Sequence, residues 1–329
     1  MILKKTYPLT KYLTLFMGLL AFASAPLTTQ AQNWPDKPVK LIIPFAAGGT
    51  TDILGRILAQ QLTANLGQNV IVENKAGAGG NIAAEAVAKS PADGYTIMLA
   101  SGSMLTVNPF LYKKLPFSYS KDFTYITNVA SGPMLLSVST KLPVTNLAEL
   151  ISLAKSKDLN FGSAGIGSQV HMAAENLIFS ADITATHVPY KGESAALNDL
   201  VAGQIDFMVG NLTAAVGFAK AGQIKPIAVT SLKRIKQLPN VPTVAESGIT
   251  GFENTGWFGL VVPVGTPNAI VQRLYAATIK AVNSDAMKTS LELNGLTAIV
   301  NTPKEFNDQV KAESEIWEKV IKGRNITAQ

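Results

Sequence analysis

Apolar residues recur along most of the chain in two alternating kinds of run. Stretches such as Val39–Ile43 and Thr96–Ala100 have the length and composition of buried strands. Stretches such as Thr51–Asn65, with Ile53, Leu54, Ile57, Leu58 and Leu62 on one side, have helical spacing. In order, the pattern predicts strand 39–43, helix 51–65, strand 70–74, a glycine turn with a helix to about 89, and strand 96–100. After an irregular aromatic stretch, 108–125, a run from Val129 to Val138 containing Gly132-Pro133 reads as a crossing into a second unit. That unit repeats the plan: helix 147–155, strand 159–161, a glycine loop and helix to 179, strand 185–189, helix 194–202, strand 205–209, helix 212–220 and strand 224–230. The stretch Gly248–Trp257 reads as the return crossing, followed by strand 258–262 and helices 267–283, 286–293 and 303–321. Strands and helices alternating at this spacing predict α/β architecture built from parallel βαβ units. Two such lobes joined by two crossover connections, with a cleft between them, is the expected fold. The expected boundaries are 32–133 with 255–329 for the first lobe and 134–254 for the second.

The stretch with most chemical content is Phe45-Ala46-Ala47-Gly48-Gly49-Thr50-Thr51-Asp52, between the first strand and the first long helix. Glycine allows close approach of the backbone to a ligand, and the first amides of a helix have no partner within it. A helix start carries roughly half a positive charge, so such a turn suits an anion. The loop itself holds no Arg, Lys, His or Cys, which favours binding of a carboxylate over chemistry upon it. A second loop, Gly162 to Ser168, stands at the matching place in the other unit. Together the two predict a clamp of main-chain amides and of hydroxyls from Thr50, Thr51, Ser163 and Ser168. The bland alternative is a pair of tight strand-to-helix turns.

Other candidates are weaker. Asp52 reads either as a charge serving the helix start, with Arg56 one turn on as its partner, or as a contact to a ligand amine. Ser101 follows a strand end, where ligands of open α/β sheets bind. His171, in the first turn after Ser168, either donates to a ligand or fixes the loop. Tyr190 and Lys191 follow a strand end, and Lys191 is the one cation considered for a second acidic group. Trp257 reads as core or hinge packing. Gly77–Gly80 lacks the third glycine of a dinucleotide fingerprint, no phosphate-loop or nucleophile-elbow motif occurs, and the two histidines show no metal-ligand spacing. No cofactor and no catalytic residue is expected.

Composition narrows this further. With 47% hydrophobic and 15% charged residues, the chain is not a largely disordered one. Residues 1–31 read as a secretory leader. Lys4, Lys5 and Lys11 are its basic part, Tyr12–Ala25 is an apolar core of 14 residues, too short to span a bilayer, and Thr29-Gln30-Ala31 is a cleavage site. Without the leader's three lysines the net charge falls from +6 to +3, no footprint for nucleic acid. The chain has no cysteine, which excludes disulfides, thiol nucleophiles, zinc thiolates and a lipid-bearing cysteine after the leader. A soluble periplasmic monomer is the expectation.

At this point the ordered motifs are similar to those of a known family. Trp34-Pro35, Pro44–Gly49 with Asp52 and Arg56, Glu73-Asn74 with Gly77–Asn81, and Asp93-Gly94-Tyr95 carry the first part of the likeness. Gly165–Ser168 with His171, Val188–Gly192, Trp257-Phe258-Gly259 and Pro263–Pro267 carry the rest. Over nearly all of the mature length the chain resembles the substrate-binding proteins of tripartite tricarboxylate transporters, the Bug-type receptors. The resemblance implies a two-lobed periplasmic-binding-protein (Venus flytrap) fold. It also implies capture of a small mono-, di- or tricarboxylate and membrane transporter subunits as partners. Carried over, the carboxylate-holding positions are Phe45, Ala46, Ala47, Gly48, Gly49, Thr50 and Thr51 in one loop and Ser163, Ala164, Gly165, Gly167 and Ser168 in the other, with Asn211 in the distal pocket. Two departures stand out. Ala76 replaces a proline common in the glycine turn. Gly210 stands where many relatives carry an acid, so the distal pocket is expected to lack an acid that could meet an amine. The rival from another class is an exported α/β hydrolase or transferase acting on a carboxylated metabolite.

Overall fold

The computed structural model describes residues 34–324 and 326–328; the leader expected at 1–31 lies outside them. No described helix is long and apolar enough to cross a membrane.

The first lobe is a sheet of β1 (Val39–Ile43), β2 (Val70–Asn74), β3 (Thr96–Ser101), β4 (Phe123–Ser139), β9 (Thr255–Pro263) and β10 (Thr297–Ala298). β1 lies between β2 and β3, parallel to both, while β9 runs antiparallel between β3 and β4. The second lobe adds β5 (Asn160–Ser163), β6 (Thr186–Pro189), β7 (Phe207–Asn211) and β8 (Ile224–Val229). There β5 is parallel to β6 and β7, and β7 and β8 flank the second half of β4 antiparallel to it. The strand order is β2-β1-β3-β9-β4-β7-β5-β6, with β8 and β10 also on β4. An α/β architecture with helices on both faces of the sheet and one strand shared by both lobes is the result.

That shared strand is where the sequence pattern misled. A short helix, α3 (Gly102–Thr106), precedes the stretch expected to be irregular, 108–125, which itself opens with a second, α4 (Asn108–Leu111), and from Phe123 onward is strand. The expected crossing at 129–138 is present, but as the later part of one continuous 17-residue strand that runs from the first sheet into the second. Nearly all of its positions are buried, so it shows no alternation of apolar and polar residues. Pro133, which has no N–H to give, falls where β4 leaves the first sheet for the second, opposite Thr255 at the start of β9.

The long helices fall close to expectation. α1 (Thr50–Leu66) starts at Gly49 and ends on Gly67, whose φ of 74° closes the helix through its N–H on the Thr63 carbonyl. α2 (Asn81–Ala88), α5 (Leu147–Ala154), α6 (Gln169–Ser180), α7 (Glu193–Ala202), α8 (Leu212–Lys220), α9 (Asn268–Asn283), α10 (Asp285–Leu293) and α11 (Pro303–Arg324) complete the set. Leu41, Leu54, Leu58, Phe258 and Leu274 pack the outer core of the first lobe, and Leu136, Phe161, Leu177 and Phe207 that of the second. A third cluster joins them: Met104, Val170, Leu197, Met208, Leu212 and Trp257 belong to one apolar core that continues from lobe to lobe. Trp257 is held there by its Nε1–H, which donates to Glu313 Oε2 at 2.7 Å.

The return crossing is stitched to β4 by Thr230, which is fully buried. Its Oγ1 accepts from Met134 N at 2.8 Å and donates to the Asn254 carbonyl at 2.5 Å, while its N–H donates to the Met134 carbonyl at 2.9 Å. Thr230→Val keeps the shape and removes the hydroxyl, leaving a buried N–H without an acceptor. The expected cost is about 1–3 kcal/mol of unfolding free energy, read as a lower denaturant midpoint at an unchanged slope.

Candidate functional site

Five strands end at the same place, and each hands over to a helix. The loop after β1 brings Phe45, Gly49, Thr50 and Thr51; the end of β3 brings Ser101; the loop after β5 brings Ala164, Ser168, Gln169 and Val170. Glu193, opening the helix after β6, and Asn211, at the end of β7, complete the wall of one small cavity between the lobes. Its free volume of about 20 Å³ is room for roughly one water. Anything larger enters only when the lobes part. A concavity of about 570 Å³ lies elsewhere, between α4 and α11, lined by Phe110, Tyr112, Tyr119 and Val310; it has no converging helix starts.

The lobes meet around the cavity through one backbone pair and two side-chain donors on carbonyls. Ala46 N donates to the Lys191 carbonyl at 3.4 Å, Ser194 Oγ to the Ala47 carbonyl at 2.9 Å, and Tyr112 Oη to the Ile166 carbonyl at 2.8 Å. A Cβ at Gly79 would overlap the Ile166 carbonyl oxygen, and one at Gly192 would come within 2.7 Å of the Ala46 Cβ. The Gly77–Gly80 turn thus does more than reverse the chain: it is the first lobe's contact with the second glycine loop.

Each predicted residue has a definite place. Gly49, Thr50, Thr51, Phe45, Ser101, Ala164, Ser168 and Asn211 are brought together on the cavity wall. Ala47 and Gly48 sit exposed at the rim, with Ala46 half-buried beside them. Gly165 and Gly167 take φ of +115° and +80° to turn the second loop.

Three predicted residues, Asp52, Ser163 and His171, support the loops instead of facing the cavity. Asp52 Oδ2 accepts from Gly48 N and from Arg56 Nε, each at 3.0 Å, and Oδ1 accepts from Asn74 Nδ2 at 2.9 Å. It is a brace for the first loop, with Arg56 as the expected partner, and no part of it lines the cavity. Ser163, expected to offer its hydroxyl to a ligand, has Oγ engaged with Gly165 N at 3.1 Å and His187 Nε2 at 2.6 Å. His171 Nδ1 accepts from Gly167 N at 3.2 Å, so its place is in fixing the second loop, and its ring stacks on that of His187 with centroids 4.0 Å apart. Burial, and then the neighbouring His171, push the pKa of His187 down to about 3. Its ring is therefore neutral near pH 7. Ser168 caps α6 by accepting from His171 N.

The two residues after β6 also point away. Tyr190 Oη donates to Asp199 Oδ2 at 2.6 Å, and Lys191 is exposed, contributing its carbonyl to the lobe contact. The second-acid role considered for Lys191 has no support in this placement.

The residue that the sequence pattern concealed is Glu193. It is buried, comes from the second lobe, and accepts on Oε2 from Thr50 N in the first lobe at 3.3 Å. Oε1 accepts from Asn211 N at 2.5 Å, and Asn211 Nδ2 lies 3.2 Å from both oxygens. Burial pushes its pKa up from the ordinary carboxylate value, against the N–H bonds that favour the charge. A Cβ at position 210 would stand 3.3 Å from Glu193 Oε1. The expectation that the pocket lacks an acid is thus corrected: Gly210 leaves the space that Glu193 fills. A glutamate at the first position of a helix reads as an ordinary helix-start charge, so only the neighbouring Gly210 could have pointed to it.

With this geometry in view, the comparisons with known proteins are decisive. A model described as "Tripartite tricarboxylate transporter family receptor" matches residues 54–326. The chain belongs to that family. It is 32% identical over 317 residues to Protein BugT of Bordetella pertussis, covering 95% of this chain and 97% of that one. Among solved structures, R. palustris Rpa4515 with adipate superposes with a TM-score of 0.85 at 38% identity, covering 88% of this chain and 97% of that one. MatC (Rpa3494) from Rhodopseudomonas palustris with bound malate gives 0.83 at 33%, covering 88% and 100%. The family is one of receptors and not of catalysts, so the hydrolase or transferase alternative falls away.

The Asp52 brace is testable through pH. Although burial opposes it, the bonds from Arg56, Gly48 and Asn74 hold the Asp52 pKa below its ordinary 3.8. Such a group stabilises the fold above its unfolded pKa, and the stabilisation is lost as pH falls through the lower folded value. Asp52→Asn should therefore cost about 1–3 kcal/mol at pH 7. The difference in melting temperature from the unsubstituted chain should shrink as pH drops below about 4.

Proposed function

We propose that the chain is a periplasmic receptor that captures a small carboxylate between its lobes and presents it to the membrane subunits of a tripartite tricarboxylate transporter. The observation that carries this is the convergence, from two lobes, of helix starts on one cavity without a lysine, arginine or histidine in its wall. The first amides of α1 and α6 have no partners within their helices, and the helix dipoles favour negative charge there. Adipate and malate bound to two relatives support the same ligand class.

In this reading Gly49, Thr50 and Thr51 hold the ligand from the first lobe and Ala164, Ser168, Gln169 and Val170 from the second. Asp52, Ser163, His171 and His187 keep those loops in shape. The moving units in this reading are 34–133 with 255–328 and 134–254, swinging about the crossings at 129–138 and 248–257. The ligand bridges the two and shifts the balance toward the closed form, whose rim is what a membrane partner reads. Export with cleavage near Ala31, a monomeric mature form and operation without a cofactor belong to the same reading.

The test is thermal stabilisation of mature protein, freed of ligand by unfolding and refolding, across a panel of carboxylates. A ligand at 100 times its Kd should add about 2.7 kcal/mol, and silence across the panel would remove the proposal. Gly49→Val supplies the control on position. Its φ of −85° suits any residue, but a Cβ there already stands 3.4 Å from Glu193 Cβ, so the larger side chain holds the lobes apart. The variant should stay folded and lose at least about 100-fold in affinity, which is ~2.7 kcal/mol; wild-type affinity would place the ligand elsewhere.

A further inference from the structure

Three residues of the cavity wall each carry a buried polar side-chain atom without a hydrogen-bond partner: Thr50 Oγ1, Ser101 Oγ and Gln169 Oε1, Gln169 also bordering a second small void beside Trp257 and Glu313. A hydroxyl can serve a carboxylate as donor, but an amide oxygen can only accept. Which end of Gln169 is the free one is decided by a short relay that begins at Glu193. Both Glu193 oxygens already accept a main-chain N–H, from Asn211 and Thr50, so the group faces the Asn211 side chain as an acceptor. Asn211 must then turn Nδ2 toward Glu193, at 3.2 Å from each oxygen, which sends Oδ1 the other way. Gln169 Nε2 donates to that Oδ1 at 2.9 Å, and Oε1 is what remains. Reversing either amide would set oxygen against oxygen. The carboxylate of Glu193 thus fixes the polarity of a residue two hydrogen bonds away.

We propose, on the basis of the receptor reading above, that the ligand is a small carboxylate whose other polar group is a hydrogen-bond donor, an ammonium or a hydroxyl, received by Gln169 Oε1 beside Glu193. A second carboxylate is selected against at this end. It would meet an acceptor that it cannot satisfy and the one acidic side chain of the cavity wall, that of Glu193. A ligand without a donor leaves Gln169 Oε1 buried and unpaired, and a site built to bond a ligand group rejects the analogue that lacks it. The helix starts supply the positive end of the cavity and the Glu193–Asn211–Gln169 relay the negative end, which is the charge pattern of a zwitterion or a hydroxy acid.

Calorimetric titration of the refolded mature chain tests this with matched acids of four to six carbons: the unsubstituted acid, its 2- and ω-hydroxy and 2- and ω-amino derivatives, and the dicarboxylate. At least one donor-bearing acid should bind tenfold or more tighter than both its unsubstituted and its dicarboxylate counterparts; the better of amine and hydroxyl names the group. Dicarboxylates binding as tightly or tighter would overturn the inference and leave the receptor reading standing, whereas no binding by any acid would overturn both. Two variants separate recognition from folding, each checked by its melting temperature. Gln169→Met should cost the preferred acid about tenfold and leave the unsubstituted acid unchanged. Glu193→Gln, which releases the relay's polarity, should narrow the gap between amine and dicarboxylate. Equal weakening of every ligand in both variants would reduce the relay to a structural role and overturn the proposal.

Discussion

Closure of this molecule depends on bare backbone meeting backbone across the cleft. Gly79 lies against the Ile166 carbonyl and Gly192 against Ala46, and at either place a Cβ would intrude. The tight approach is what brings Thr50 N within hydrogen-bond distance of Glu193 and buries both. It also reduces the space between the lobes to about that of a single water. A receptor built this way excludes solvent from its site by fit of main chains, so the amides at its helix starts act in a setting where their partial charges are poorly screened.

The supports for those loops are side chains whose polar groups are all turned inward. Asp52 gathers Gly48, Arg56 and Asn74; Ser163 gathers Gly165 and His187; His171 accepts from Gly167. Three side chains that the sequence offers as ligand contacts, those of Asp52, Ser163 and His171, are thus spent on shape, while Thr50 and Ser101 keep unpartnered hydroxyls on the cavity wall. This division has a physical reason. A carboxylate such as Asp52 aimed at a bound carboxylate would repel it, whereas the same charge placed behind the loop braces it at no cost to binding.

The helices and most strands are legible in the sequence because each is amphipathic or apolar over the right length, and the two glycine loops are legible because each interrupts a strand-to-helix change at the same point of a repeated plan. β4 is not, since a strand buried on nearly every position loses the alternation that marks strands, and its proline looks like a break. At the site, the Gly49–Thr51 and Ala164–Ser168 stretches can be found from spacing alone. Glu193 and Gln169 cannot. Each sits at the start of a helix where a polar residue is ordinary. What makes Glu193 unusual, a carboxylate from one lobe on an amide of the other, exists only once the chain has closed, and what makes Gln169 unusual, its bond to Asn211, only once the second lobe has folded.

The acid in this pocket is decided by volume as much as by charge. A side chain at position 210 would come up against Glu193 Oε1, so an acid there and the glutamate at 193 compete for one space. The chain holds glycine at the first and carries its carboxylate in from α7, where it also reaches Thr50 on the opposite lobe. An acid on the end of β7 would belong to the second lobe's sheet alone. Moving the charge onto the start of α7 makes it a contact between the lobes as well as a feature of the pocket, and so ties what the pocket admits to how firmly it shuts.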